Sequence, residues 1–234
     1  MTEPLRVLDL GQRGYVETLA LQREVRLGRL ADPDTPDVLL LVEHPPVYTL
    51  GRGTQDSSLP VAPELLRARG ALVVEVERGG DVTWHGPGQL VGYPILDLRR
   101  HRQDLHWYLR TLEQGLVDAL GRVGIPAGTS PGRTGVWTSG RKIASIGVHV
   151  KQWVTLHGFA LNVAPDLSWF DAIVPCGIAG VTMTSVVAER GGDPARLWPE
   201  VRDATVAAFA AAFDRVPERA PPSHVAAIST STAS

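Results

Sequence analysis

Cys176 is the single cysteine of the 234-residue chain. A cysteine attacks as the thiolate, so nucleophilic chemistry here would also need a base. A free cysteine is more often a small buried hydrophobe. Pro175 and Gly177 on either side nevertheless favour a tight loop, and loops carry a large share of catalytic groups. Lys142 is a candidate for the base, although the sequence alone does not pair the two residues.

Lys142 lies at the start of a segment, 141–151, whose alternation is typical of a β-strand. The alternation predicts that it shares one face with Ala144, Ile146, Val148 and Val150. On such an apolar face a lysine loses the solvation of its charged form, which favours the neutral amine that acts as a base. The alternative is a strand-end lysine whose ammonium group reaches water, and that is the commoner outcome.

A glycine-rich segment, 78–94, contains side chains that can hydrogen-bond a carbonyl or a carboxylate, namely Arg78, Thr83 and His85. Its glycines let the backbone approach a ligand closely. The segment lacks the Gly-Lys-Ser/Thr of a phosphate-binding P-loop, and no helix opens after its glycines as in a dinucleotide-binding fingerprint. Gly79 and Gly80 alone would indicate a surface turn, but the polar residues that follow favour a binding loop.

Small residues occupy one face of each of the last two predicted strands. Ser145 and Gly147 share a face of the first strand, and Gly158 and Ala160 share a face of the second. Small residues inside strands often mark the close approach of a ligand. We therefore expect a shallow trough on these strands, with the tight packing of a helix as an equal alternative.

The histidines do not form a metal-binding pattern. His85, His149 and His157 lack the paired spacing of a zinc site, and the single cysteine supplies only one thiolate. We therefore expect no metal ion.

The composition is that of an ordinary globular protein, with 44% hydrophobic and 21% charged residues. A net charge of −2 argues against nucleic-acid binding, which needs a basic excess to neutralise phosphates. We see no run of about 18 apolar residues and no signal-peptide pattern, so we expect no membrane association. One cysteine cannot form an internal disulfide, which fits the reducing cytoplasm.

The periodicity predicts helices and strands in alternation around these residues. The predicted helices cover 15–31, 63–69, 104–122 and 193–213, and the predicted strands cover 38–42, 71–76, 90–94, 135–138, 141–151 and 154–163. This order favours a single α+β domain over 1–214 with a mixed sheet. Residues 215–234, rich in Pro, Ser, Thr and Ala, are expected to form a disordered tail.

Five motifs together resemble those of the lipoyl(octanoyl) transferase family. In chain order they are EHPPVYT (43–49), RGGDVTWHGPGQ (78–89), GRKIASIG (140–147), HGFALN (157–162) and PCGI (175–178). They follow the family's order, and no motif position departs from the family's pattern. The predicted first and last helices fit the family as well, so only the tail is left uncovered.

The resemblance implies the biotin/lipoate protein ligase fold, a mixed sheet flanked by helices. It also implies an acyltransferase in which Cys176 attacks the octanoyl thioester of acyl carrier protein, with Lys142 as acid and base. The acyl-enzyme would then pass the octanoyl group to a specific lysine of a lipoyl domain, in 2-oxoacid dehydrogenase complexes or in the glycine cleavage H protein. This transfer would be the first step of protein lipoylation from endogenous octanoate. Because a thioester is already activated, no cofactor is needed.

The family's acyl-binding positions map onto three of the motifs. The residues that the resemblance predicts to line the acyl site are Arg78, Gly79, Gly80, Asp81, Val82, Thr83, Trp84, His85, Ser145, Ile146, Gly147, Gly158, Phe159 and Ala160. The small residues among them agree with the trough expected from the strand faces. An acyl chain bound in an apolar slot there would gain roughly 0.8 kcal/mol of binding free energy for each buried CH₂ group.

Three other functions stay open. An ATP-dependent lipoate–protein ligase of the same fold would adenylate a free acid and would not need Cys176, although the sequence after Gly80 resembles the transferases more than the ligases. A cysteine thioesterase would release the acyl group to water. An acyl-binding scaffold would keep the fold without catalysis, which retention of both Cys176 and Lys142 speaks against.

Six basic residues could form a docking rim for acidic partner proteins: Arg99, Arg100, Arg102, Arg133, Arg141 and Lys151. For any one of them, an ordinary solvated surface is an equally good interpretation.

Overall fold

A computed structural model describes residues 3–32, 34–174 and 180–221. Two sheets and five helices make up this part of the chain. The strands are β1 (Pro4–Gln12), β2 (Asp37–Glu43), β3 (Val47–Leu50), β4 (Leu72–Glu75), β5 (Thr83–His85), β6 (Gln89–Ile95), β7 (Gly128–Ser130), β8 (Arg133–Thr138), β9 (Arg141–Lys151), β10 (Val154–Asn162) and β11 (Val216–Arg219). The helices are α1 (Tyr15–Ala31), α2 (Pro63–Ala68), α3 (Leu105–Arg122), α4 (Val186–Arg190) and α5 (Pro194–Ala212).

The larger sheet has eight strands in the order β11-β1-β2-β6-β10-β9-β8-β7. β1 runs parallel to both of its neighbours, and the other pairs are antiparallel, so the sheet is mixed, as predicted. The smaller sheet has the order β4-β3-β5. Together with the flanking helices, this arrangement confirms the predicted fold class.

Strand β2 shows how the core is divided between the two faces of the larger sheet. Leu39 and Leu41 pack with α3 and α5 on one face, whereas Val38, Leu40 and Val42 pack with α1 on the other. Because both faces of β2 are buried, its sequence is an unbroken run of apolar residues. The smaller sheet lies on the α1 side, where Val47 of β3 packs against the first turn of α1.

Helix ends follow from local sequence. Asp104 accepts a hydrogen bond from the Trp107 N–H at the start of α3, and Asp193 accepts one from the Ala195 N–H at the start of α5. Pro194 occupies the first turn of α5, where its missing N–H costs nothing. These caps match the predicted helix starts. Among the described residues, no helix is long and apolar enough to cross a membrane.

The predicted tail needs a correction. Val216–Arg219 forms β11, which pairs in parallel with β1 in the register Pro4↔Val216 to Val7↔Arg219. The segment was interpreted as a tail because it has no apolar periodicity, and every residue of β11 is indeed exposed. Backbone pairing at the sheet edge holds it instead of side-chain burial. The rest of the predicted tail, 222–234, lies outside the described residues.

Candidate active site

A cavity of about 240 Å³ lies over β9 and β10 on the α1 side of the larger sheet. Strands β9 and β10 form its floor, and the glycine-rich segment after β4 covers it. All the residues predicted to line an acyl site border this cavity, except Gly79 and Trp84. Lys142 borders it as well. Residues predicted from three separate sequence motifs thus line a single cavity.

The floor is made of small residues at paired positions. Ser145 lies opposite Ala160, and Gly147 lies opposite Gly158, on neighbouring strands. The larger neighbours Ile146 and Phe159 contribute to the core on the α3 side. Small side chains on the cavity face leave the space that an apolar chain would fill, as the alternation predicted.

Arg78 shapes the roof of the cavity. Its Nη2 donates to the Thr49 carbonyl oxygen at 2.6 Å and to Thr49 Oγ1 at 2.8 Å, and its Nη1 donates to the Asp81 carbonyl oxygen at 2.7 Å. The guanidinium thus ties β3 to the glycine-rich segment. Gly51 allows this approach, because a Cβ there would lie 2.4 Å from the Gly80 carbonyl oxygen.

Gly79 and Trp84 hold the roof in place without bordering the cavity. The Gly79 N–H donates to the Val148 carbonyl oxygen at 2.9 Å, which anchors the loop on β9. Trp84 stacks on Trp169 with ring centroids 5.8 Å apart and meets Phe170 edge-on. Their predicted role in lining the cavity is therefore replaced by one in positioning the loop.

Lys142 lies at the β8–β9 side of the cavity and is 2% exposed. A register shift pairs Val136 with Ala144 but Trp137 with Lys142, so β9 carries one extra residue at this point. Such a bulge breaks strict alternation and re-aims the side chain. The prediction that Lys142 continues the face of Ala144 is therefore wrong, and it borders the cavity together with Ser145.

The Lys142 side chain occupies space that a glycine leaves open. Its Nζ lies 5.2 Å from the centroid of the Trp137 ring. A Cβ at Gly135, whose φ is +130°, would lie 2.8 Å from Lys142 Cε. The Lys142 N–H donates to the Thr182 carbonyl oxygen at 2.8 Å, and the Thr184 N–H donates to the Lys142 carbonyl oxygen at 2.9 Å.

The proton on His85 can be assigned from a chain of hydrogen bonds. The Thr184 carbonyl can only accept, so it fixes the amide of Asn162, whose Nδ2 donates to it at 2.9 Å. Asn162 Oδ1 then accepts from Gln89 Nε2 at 3.0 Å, which leaves Gln89 Oε1 to accept from His85 Nδ1 at 3.1 Å. Burial lowers the pKa of His85 to about 3. The ring is therefore neutral, and its Nε2 carries a lone pair.

His157 also borders the cavity. Its φ is +58°, a conformation that costs energy for a residue with a side chain. The Gln22 side chain of α1 accepts its backbone N–H at 2.9 Å. This hydrogen bond stabilises the strained backbone conformation of His157. Because Gln22 belongs to a distant helix, the sequence around His157 alone gives no sign of that conformation.

The other residues around the cavity had no sequence signal as site residues. At one side they are Gly132, Thr134, Trp137 and Val181, and at the other they are Tyr15, Val91 and Tyr93. They come from five separate elements and loops that meet only in the folded chain. Aromatic and small apolar residues of this kind are indistinguishable from core residues in the sequence.

Cys176 lies outside the described residues. The chain before it is fixed by the Val174 N–H, which donates to the Ser58 carbonyl oxygen at 2.9 Å. The chain after it contributes Val181 to the cavity and Thr182 to the bond with Lys142. Both described flanks are thus held against the body of the domain.

Most residues of the predicted basic rim have an acidic partner. Arg133 borders the cavity on the β8 side. Four of the other residues pair with carboxylates: Arg99 with Asp97, Arg100 with Glu3, Arg102 with Asp104 and Arg141 with Glu189. Within the described ranges, no group of three or more His, Cys, Asp or Glu side chains is placed to hold a metal ion.

Comparison with protein families identifies residues 14–212 as a match to the lipoyl protein ligase A/B catalytic domain. Among curated proteins, the chain is 53% identical over 172 residues to an octanoyltransferase of Gloeobacter violaceus, covering 74% of this chain and 75% of that protein. It is 49% identical over 219 residues to an octanoyltransferase of Geobacter sulfurreducens, covering 92% of this chain and 88% of that protein.

Solved structures of the same fold include a putative lipoate protein ligase from Thermoplasma acidophilum, with a TM-score of 0.76 at 15% identity. The alignment covers 97% of this chain and 92% of that one. A lipoate-protein ligase A bound with ATP aligns with a TM-score of 0.69 at 15% identity, over 98% of this chain and 93% of that one. At such low identity these likenesses concern the fold alone.

Proposed function

This chain belongs to the octanoyltransferases of the lipoyl protein ligase A/B family and is therefore an acyltransferase of protein lipoylation, and we propose that it works through a thioester on Cys176. The donor is the octanoyl thioester of acyl carrier protein. The acceptor is a specific lysine of a lipoyl domain, in 2-oxoacid dehydrogenase complexes and the glycine cleavage H protein. Lys142 is the acid and base of both steps.

In the first step, Lys142 takes the thiol proton of Cys176, and the thiolate attacks the thioester carbonyl of the donor. The carbon–sulfur bond to phosphopantetheine breaks, and Lys142 returns the proton to the departing thiolate. In the second step, Lys142 takes a proton from the acceptor amine as that amine attacks the acyl-enzyme. The amide bond forms, the carbon–sulfur bond to Cys176 breaks, and the proton passes to the Cys176 thiolate. Two easier steps thus replace one direct transfer.

The surroundings of Lys142 are the observation that carries this proposal. A buried lysine bordering a cavity with a small-residue floor is suited to serve an acyl chain lying on that floor. Its backbone is bonded to Thr182 and Thr184, in the segment that follows Cys176. This contact supports the pairing of Lys142 with Cys176, which the sequence alone left open.

The ATP-dependent ligase is the second candidate. The chain is about 50% identical in sequence to octanoyltransferases, which favours the transferase. Its 15% sequence identity to a lipoate-protein ligase supports only a common fold. A thioester donor supplies an activated acyl group, so no adenylate is required. Localisation in the cytoplasm stays part of the proposal and is supported by the single cysteine.

The test is transfer without ATP. The protein is mixed with octanoyl–acyl carrier protein and an unmodified lipoyl domain, and the intact mass of the lipoyl domain is followed by mass spectrometry. The proposal predicts addition of one octanoyl group at a single lysine. Modification that appears only with ATP and free octanoate would indicate the ligase, and free octanoate released without modification would indicate a thioesterase.

A further inference from the structure

Helix α3 carries one carboxylate among the apolar side chains that it buries against the sheet. Glu113 is 0% exposed and lies beside Leu112 and Leu116 of the core. A glutamate is almost never fully buried unless its charge is paired. Its ionic partner is Arg110, one turn earlier in α3, whose side chain is 59% exposed. A pair with an exposed arginine could form equally well at the surface, so the burial of the carboxylate has another cause.

The Glu113 carboxylate also bonds to the backbone of β8. Its Oε1 accepts a hydrogen bond from the Gly135 N–H at 3.1 Å. Gly135 has a φ of +130°, which glycine adopts without the steric cost that a side chain would add. The carboxylate thus holds β8 in an irregular conformation at one residue. Glu113 does not border the cavity, whereas Thr134 and Trp137 of β8 do, so it contacts the cavity wall from behind.

Gly135 in turn adjoins the Lys142 side chain. A Cβ at Gly135 would lie 2.8 Å from Lys142 Cε and 3.3 Å from Lys142 Nζ. The same Cβ would lie 2.7 Å from the Ala144 carbonyl oxygen, so a side chain at this position would collide with both the backbone and the lysine. A shift of the Gly135 backbone would therefore change the space that the lysine occupies. The contacts run without a gap from the α3 carboxylate through β8 to Lys142 Nζ.

We propose that Glu113 is a positioning residue for Lys142, and that it acts by holding the Gly135 backbone against which the lysine side chain lies. A misplacement of about 1 Å can slow a catalysed reaction considerably, even when its cause lies far from the reacting atoms. The inference rests on the proposed function for the chemistry of Lys142. The competing role is structural, in which Glu113 joins α3 to β8 and contributes stability alone.

The position of Lys142 can be observed apart from activity, because Lys142 and Lys151 are the only lysines of the chain. Protein labelled with ¹³C at lysine Cε should give two signals in a ¹H–¹³C NMR spectrum, and Lys142→Met assigns them. Spectra are recorded at pH 7, and kcat and KM for octanoyl–acyl carrier protein are measured on the same samples. The exposed Lys151 provides the internal reference.

The variants separate positioning from stability. Glu113→Leu fills the buried space but cannot accept a hydrogen bond, whereas Glu113→Gln keeps an oxygen for the Gly135 N–H. Glu113→Ala, which also lacks the acceptor, replaces Glu113→Leu if urea unfolding shows that the latter does not fold. Leu116→Ala is the matched control, because it removes core packing from the same helix and leaves the contact with Gly135 in place.

Glu113→Leu should move the Lys142 signal by more than its linewidth and lower kcat about tenfold while KM stays the same. Glu113→Gln and Leu116→Ala should keep the signal and kcat of the unmodified chain. An unmoved Lys142 signal in Glu113→Leu, an unchanged kcat, or an equal displacement in Leu116→Ala would overturn the inference. Near-normal transfer by Lys142→Met would overturn the proposed function instead, and the lysine spectra would still decide whether Glu113 positions Lys142.

Discussion

The Lys142 N–H donates to the Thr182 carbonyl oxygen across 2.8 Å, which joins β9 to the chain six residues beyond Cys176. The Thr184 N–H closes a second bond onto the Lys142 carbonyl oxygen at 2.9 Å. Both bonds use the backbone, so they should survive any change of the Lys142 side chain. The chemistry of Lys142 can therefore be tested apart from its structural role.

Lys142→Met should reduce octanoyl transfer by at least about a hundredfold while leaving the fold intact. Methionine fills the buried space but cannot carry a proton. The measurement is the initial rate of lipoyl-domain modification, with circular dichroism as the check on folding. Arg122→Met, at the exposed end of α3, is the control for loss of a basic side chain. A Lys142→Met protein with near-normal transfer would remove Lys142 from the mechanism.

Gly158→Ala should destabilise the protein strongly. A Cβ there would lie 2.2 Å from the Gly92 carbonyl oxygen and 2.7 Å from Pro94 Cδ, so β6 and β10 would have to separate. Gly121→Ala, in the exposed last turn of α3, meets no atom within 4 Å and should stabilise the protein by about 1 kcal/mol. Urea unfolding of both variants measures these changes. Equal midpoints would contradict the close approach of β6 and β10.

Asp37→Asn should cost about 3–5 kcal/mol of unfolding free energy, because it leaves buried charges without their counter-charge. Arg29 Nη2, His101 Nε2 and Arg215 Nε lie 2.8, 2.7 and 3.0 Å from the carboxylate. These groups link α1, β2 and the segment before β11. Asp118→Asn, on the exposed face of α3, is the control and should change stability little.

The same carboxylate gives a pH signature. Burial alone would raise the Asp37 pKa, but the His101 hydrogen bond and the Arg29 charge outweigh it, so the pKa lies below its usual value of 3.8. A group with a lowered folded-state pKa stabilises above its unfolded pKa and loses that contribution as pH falls through the folded value. The difference in stability between the unmodified chain and Asp37→Asn should persist from pH 7 to 5 and shrink below about pH 4. A difference that grows in acid would contradict this.

Buried neutral histidines predict a second loss of stability in mild acid. Burial lowers the pKa of His44 from 6.5 to about 4. Between these values the unfolded chain binds the proton and the folded chain does not, so stability should fall as pH decreases from 6.5 to 4. His44→Gln should flatten this slope by about 1 kcal/mol per pH unit. Unfolding curves at several pH values measure it, with His106→Gln, an exposed imidazole, as the control. An unchanged slope would mean that His44 is charged in the folded chain.

Elements with strong local periodicity could be predicted from the sequence. The helix 15–31 and the strand 141–151 have the same bounds in the structure, and burial in the helix follows the helical period. The mixed sheet followed from the order of the predicted helices and strands, and the small-residue floor followed from the alternation in the last two predicted strands. The residues in the roof of the cavity were predicted from the family resemblance, which reflects contacts between segments that are distant in the sequence.

Features that depend on distant backbone contacts could not be predicted. β1 was missed because its pairing with β2 and β11 joins segments far apart in the chain. β3 and β5 are short strands that pair only with each other and with β4. The positive φ of His157 depends on Gln22 of α1. None of these distant contacts has a signature within a few residues of its site. The position of Lys142 was missed for another reason, because a bulge in the local β8–β9 hairpin breaks the alternation on which the prediction rested.

The covalent intermediate on Cys176 is tested most directly by intact-protein mass spectrometry after mixing the chain with octanoyl–acyl carrier protein in the absence of ATP. The proposal predicts one octanoyl adduct on Cys176 that hydroxylamine removes and that an added lipoyl domain discharges. Cys176→Ala should form no adduct and transfer nothing. Near-normal transfer by Cys176→Ala, or an adduct that a lipoyl domain does not discharge, would contradict the thioester mechanism.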